Sequence, residues 1–116
     1  MIKQMKTKEN YLEKIPCKNS SIKWSQDESG LVTLEVQNRG FANLLAQKLL
    51  KKPKVSFIHL EKFGSFIWTA IDGGRDIIAI GKLVKEQFGE KAEPLYERLS
   101  TYMKTLKSNG FIDFNK

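Results

Sequence analysis

Residues 55–114 change hydrophobic period once and are then stopped three times, a succession few folds accommodate. The run "KVSFIHLE" (54–61) alternates. Val55, Phe57 and His59 fall on one side of an extended strand, and Ser56, Ile58 and Leu60 on the other. Beyond Glu61 apolar residues recur at helical spacing. Phe63, Phe66, Ile67, Trp68, Ala70 and Ile71 predict a short helix, apolar around much of its circumference and therefore buried, stopped by Gly73-Gly74. Asp76 suits the cap of a second helix, which carries Ile77, Ile80, Leu83, Val84 and Phe88 and ends at Gly89. A third candidate helix, 93–108, opens at Glu93-Pro94 with Pro94 in its first turn; Leu95, Leu99, Tyr102, Met103 and Leu106 form its stripe. Asn109-Gly110 closes it, and Phe111, Ile112 and Phe114 follow as a short apolar tail.

Upstream, "SIKWSQDESGLVTLEVQN" (21–38) reads as a hairpin turning at Asp27-Glu28-Ser29-Gly30, with Val32, Leu34 and Val36 on its core face. "NRGFANLLAQKLLKKP" (38–53) breaks the alternation. Phe41, Leu44, Leu45 and Leu49 make a helical stripe with a basic edge at Lys48, stopped by Pro53. Residues 1–20 show no period. They read as a partly mobile arm whose end is pinned by Ile15 and Pro16. The expectation is one domain over 21–114, of α+β class. Its layout is winged-helix-like: a three-stranded antiparallel sheet followed by three helices, with an extra basic helix (39–54) inserted between the second and third strands.

The residue inventory argues against catalysis. One cysteine, Cys17, and one histidine, His59, make neither a disulfide nor a standard zinc site, and they lie far apart in sequence. Gly73-Gly74 belongs to no phosphate-binding loop. No close-set acidic pair stands out. The expected protein is not an enzyme and has no cofactor or metal. Charges run throughout the first residues and no apolar run approaches a membrane span, so a cytoplasmic setting is expected.

The net charge of +7 is concentrated. It lies in the lysines of 1–23 and in Arg39, Lys48, Lys51, Lys52 and Lys54, while the C-terminal half is nearly balanced. A winged-helix DNA-binding protein or transcriptional regulator is one reading of such a chain. Against it, the candidate recognition helix, 93–108, starts with Glu93 and Glu97, which face phosphates unfavourably. The other reading is peptide binding by strand addition at the 55–60 edge, with side-chain pockets supplying specificity.

From His59 to Ile112 the chain resembles the PqqD family of precursor-peptide recognition elements. Leu60-Glu61 stands where the family ends its strand. Phe66-Ile67-Trp68 and Ile71-Asp72-Gly73 match its helix with a late Trp and a following Asp-Gly. Arg75-Asp76-Ile77, with Ile80 next, matches its second helix start, although Asp76 replaces Thr and Gly81 stands where a helix former is usual. "LKSNGFI" (106–112) matches its closing turn. The segments 1–20 and 39–54 lie outside the match. The resemblance implies a non-catalytic adaptor or chaperone. It would bind the leader of a ribosomally made precursor peptide as an added strand and present it to a modifying enzyme, often a radical S-adenosylmethionine enzyme. By position, the peptide would pair with Val55, Ser56, Phe57, Ile58, His59 and Leu60 and pack on Leu99, Tyr102, Met103 and Leu106. Core packing competes with that role, most strongly at Leu99 and Leu106. Tyr102, Met103 and Ser56 suit it better. A monomer or an edge-strand dimer is compatible with this reading; nucleic acid and membrane are not the expected partners.

Overall fold

Residues 11–38 and 54–115 are described by the computed structural model. The first ten residues of the expected arm and the expected basic helix, apart from Lys54, lie outside these described residues.

Strand β1 (Ile15–Lys18) comes first. The hairpin follows as β2 (Lys23–Gln26) and β3 (Val32–Asn38), in a register that sets Trp24 opposite Leu34 and Ser25 opposite Thr33. Asp27 makes the turn. Its Oδ1 accepts from the N–H groups of Ser29 (2.9 Å) and Leu31 (3.0 Å), and its carbonyl accepts from Gly30 (3.0 Å). Strand β4 (Lys54–His59) pairs antiparallel with β3, Leu34 opposite Ile58 and Val36 opposite Ser56. The sheet order is β2-β3-β4. Val32 and Leu34 are fully buried and Val36 packs beside them, as the alternation predicts.

Three helices follow: α1 (Lys62–Ala70), α2 (Ile77–Phe88) and α3 (Leu95–Ser108). One core joins them to the sheet through Ile67, Trp68, Ile71, Ile80, Val84 and Leu99. Asp76 caps α2, its carboxylate accepting from the Ala79 N–H at 2.8 Å. None of the described helices is long and apolar enough to cross a membrane.

Among the described residues the class is α+β, with three helices and antiparallel sheets, and it departs from expectation in three places. Helix α1 stops at Ala70, ahead of the glycine pair. Ile71 turns extended and its side chain is fully buried, while its N–H still reaches the Ile67 and Trp68 carbonyls (3.2 Å each). Pro94 stands one residue before α3 as its cap, after a cis Glu93-Pro94 bond. Its carbonyl accepts the first helical bond, from the Arg98 N–H at 3.1 Å. A second, two-stranded sheet is present: β5 (Ile112–Asn115), expected as a tail, pairs antiparallel with β1, expected as the end of the arm. Ile15 faces Asn115 and Pro16 faces Phe114, and Pro16 is buried.

Candidate functional site

The alternation of an antiparallel ladder fixes which way β4 points its backbone. The Leu60 N–H donates to the Val32 carbonyl at 2.8 Å, so Val32 and Leu60 form a hydrogen-bonded pair. Two residues on, Leu34 and Ile58 form the next such pair, then Val36 and Ser56. The backbone groups of Val55, Phe57 and His59 therefore point away from β3. Among the described residues no strand pairs with β4 on that side. The other neighbour of β3 agrees: the Asp27 N–H donates to the Leu31 carbonyl at 3.0 Å, which turns Thr33 and Glu35 toward β2.

Side chains follow the same alternation. Phe57 is 60% exposed, the most open of the large apolar residues among those described, and Val55 is exposed beside it on the outer face. His59 lies on that face too, its Nδ1 3.0 Å from the Thr33 hydroxyl across the ladder. Ser56, Ile58 and Leu60 turn toward the core face, Leu60 packing against the core and Ile58 still 36% exposed.

Ser65 anchors the end of β4. It is buried, and its hydroxyl accepts from the Val32 N–H at 2.8 Å and donates to the Leu60 carbonyl at 3.2 Å. It stands in for the second bond of the Val32–Leu60 pair. The edge strand is thus held in line by the helix that follows it.

The four expected residues of α3 divide. Leu99, Met103 and Leu106 lie in the common core, Leu99 and Met103 fully buried. Tyr102 stands at the seam between α3 and α1, over Gly64. Burial pushes its phenol up to about 12. Beside it a shallow hollow is lined by Phe63, Glu97, Arg98, Thr101 and Thr105, with the Arg98 guanidinium 4.1 Å from the Phe63 ring centroid. Phe63, Gly64, Ser65 and Arg98 are absent from the sequence-derived site. The signal that points to them is a pair of small residues, Gly64-Ser65, inside a helix otherwise crowded with aromatics, a mark of close approach.

Among the described residues the arrangement offers a strand edge on which no further strand pairs, apolar side chains next to it and a partly polar hollow. Among the described residues no group of three His, Cys, Asp or Glu side chains is placed to hold a metal ion. Cys17 is a free thiol whose Sγ lies 3.6 Å from the Asn115 Oδ1. Just before α3, Glu93 of the segment considered for DNA reading is tied to Lys85.

No curated protein and no solved structure matches the chain. The family model described as coenzyme PQQ synthesis protein D matches residues 48–112, more than half of the sequence and everything from β4 into β5. On that match, this chain belongs to the PqqD family.

Proposed function

We propose that this protein is a non-catalytic adaptor. It captures the leader of a ribosomally made precursor peptide as an added strand along β4 and presents it to a peptide-modifying enzyme of the radical S-adenosylmethionine type. One observation carries the reading: in a PqqD-family chain, β4 turns the backbone groups of Val55, Phe57 and His59 away from its only described partner strand. An extended peptide finds hydrogen-bond partners there, and side-chain contacts supply selectivity. The order β2-β3-β4 followed by α1-α2-α3 supports a winged-helix layout. The single cysteine of the sequence supports a cytoplasmic setting.

Of the residues assigned from sequence, Val55 to Leu60 supply pairing and contact, and Tyr102 supplies contact. Leu99, Met103 and Leu106 act from beneath, holding α3 in place. The test is a titration of ¹⁵N-labelled protein with the leader segment of a short precursor gene adjoining this one. Amide shifts should concentrate in 55–59 and around Tyr102. Shifts confined to other elements would refute the site. Light scattering during the same titration separates peptide capture by a monomer from an edge-strand dimer that the peptide dissociates.

A further inference from the structure

Between α1 and α3 lies the hollow lined by Phe63, Glu97, Arg98, Thr101, Tyr102 and Thr105, and the Arg98 and Thr105 side chains are already committed. Arg98 lies over the Phe63 ring and donates to the Lys91 carbonyl at 2.8 Å. The Thr105 hydroxyl donates to the Thr101 carbonyl at 3.0 Å. Glu97 and Arg98, of opposite charge, share the rim. The hollow therefore offers an ionic ligand no net charge. It offers apolar surface instead: the Phe63 and Tyr102 rings and the threonine methyl groups.

Tyr102 does not fit its own seat. Its hydroxyl is buried and has no hydrogen-bond partner among the described residues. A Cβ at position 64 would stand 2.6 Å from that oxygen, so the seat exists only because the residue there is glycine. A buried unpaired hydroxyl costs about 1–3 kcal/mol. Packing holds Tyr102 in, and its hydroxyl opposes that placement. Turning the ring outward returns the hydroxyl to water and deepens the hollow toward Gly64.

We propose that this hollow is a pocket for one large apolar side chain of the bound peptide, and that Tyr102 opens it by leaving its seat on Gly64. The proposal rests on the adaptor reading for the identity of the ligand but not for the behaviour of the pocket. Glu97 and Arg98 make the pocket indifferent to acidic side chains, and the Tyr102 ring, once turned outward, supplies the stacking surface, the Phe63 ring already meeting Arg98 and Phe88.

The test uses the full chain carrying ring-¹³C tyrosine. Three signals are expected from its three tyrosines, and Tyr102→Phe identifies one. The probes are N-acetyl-phenylalanine methylamide and, as the acidic counterpart, N-acetyl-glutamate methylamide, each taken to millimolar concentration. The phenylalanine probe should move the Tyr102 signal and the Phe63 and Thr101 amides, and the glutamate probe should not. Tyr102→Phe has no hydroxyl to release, so it should bind the phenylalanine probe about fivefold or more weakly and melt at a higher temperature. Gly64→Ala fills the seat and should bind the probe several-fold more tightly. If Gly64→Ala does not fold, Tyr102→Phe decides alone. An unmoved Tyr102 signal, equal responses to both probes, or unchanged binding by Tyr102→Phe overturns the proposal. Neither probe has an extended backbone to add to β4. The pocket can thus fail while a leader peptide still shifts 55–59, and the adaptor reading can fail while the pocket still opens.

Discussion

The Ser65 hydroxyl stands where two strand ends and a helix meet, and it serves both strands at once. Removing it leaves the Val32 N–H buried without an acceptor. Ser65→Ala should therefore destabilise the fold by about 1–3 kcal/mol, more than an exposed serine change, as read by urea unfolding. Gly81 carries the opposite lesson. An exposed glycine in mid-helix is worth about 1 kcal/mol on replacement by alanine. Here a Cβ would stand 2.6 Å from the Tyr96 ring, whose hydroxyl donates to the Ile78 carbonyl at 3.4 Å. The overlap displaces Tyr96, so Gly81→Ala should give a net loss of about 1 kcal/mol instead of a gain. In a Tyr96→Leu background the same change should turn favourable; a loss of equal size in both backgrounds would show that Tyr96 is not the cause. The sequence shows the glycine as a weak point of α2, and only the packing shows why it is there.

At the scale of elements, what was legible followed period and punctuation. The hairpin at Asp27–Gly30, the alternation of β4 and the three helices each combine a long signal with a stop. The β1–β5 sheet has neither. Its strands are four residues long, sit at opposite ends of the chain and include Pro16, which reads as a break. The site divides in the same way. The strand edge was visible, whereas the sealing of Leu99 and Met103 and the contact between Gly64 and Tyr102 depend on how α3 lies against its neighbours. Ladder phase gives a direct test of the edge. The Phe57 N–H points away from β3, and that of Ile58 points into the pairing with Leu34. Phe57→Pro should leave the circular dichroism spectrum and melting close to wild type while abolishing strand addition by a peptide. Ile58→Pro should disrupt the sheet itself. Equal damage from both would mean that the outer side of β4 is already paired.

Across the whole molecule, ionisation limits stability from both sides. Backbone N–H groups of Gly74 and Arg75, with the Arg75 guanidinium, hold Asp72 below the usual carboxylate range. Lys85 and the Leu95 N–H lower Glu93, and the Phe114 N–H and Lys107 lower Asp113. A carboxylate lowered by folding stabilises the native state above its unfolded value and loses that contribution as pH falls through its folded one. All three are exposed, so each contribution is small and salt-screened, but they fail together while the net charge climbs above +7. Stability should decline below about pH 4.5, where the unfolded carboxyls begin to protonate. At the other end burial raises Tyr11 and takes Tyr102 to about 12. Their neutral forms are favoured by folding, so stability present below pH 10 is lost as pH rises toward 12. Lys18 opposes that fall. It is lowered by burial between the Trp24 and Trp68 rings, 5.2 Å and 5.6 Å away, so folding gains as pH rises toward 10.5. The two effects separate by position: Lys18 deprotonates first, and Tyr102 ionises last. Tryptophan emission, whose two sources both face Lys18, should therefore change before the melting temperature drops, and Tyr102→Phe should push that drop to higher pH. An alkaline limb unmoved by Tyr102→Phe would place the sensitivity in Tyr11 instead.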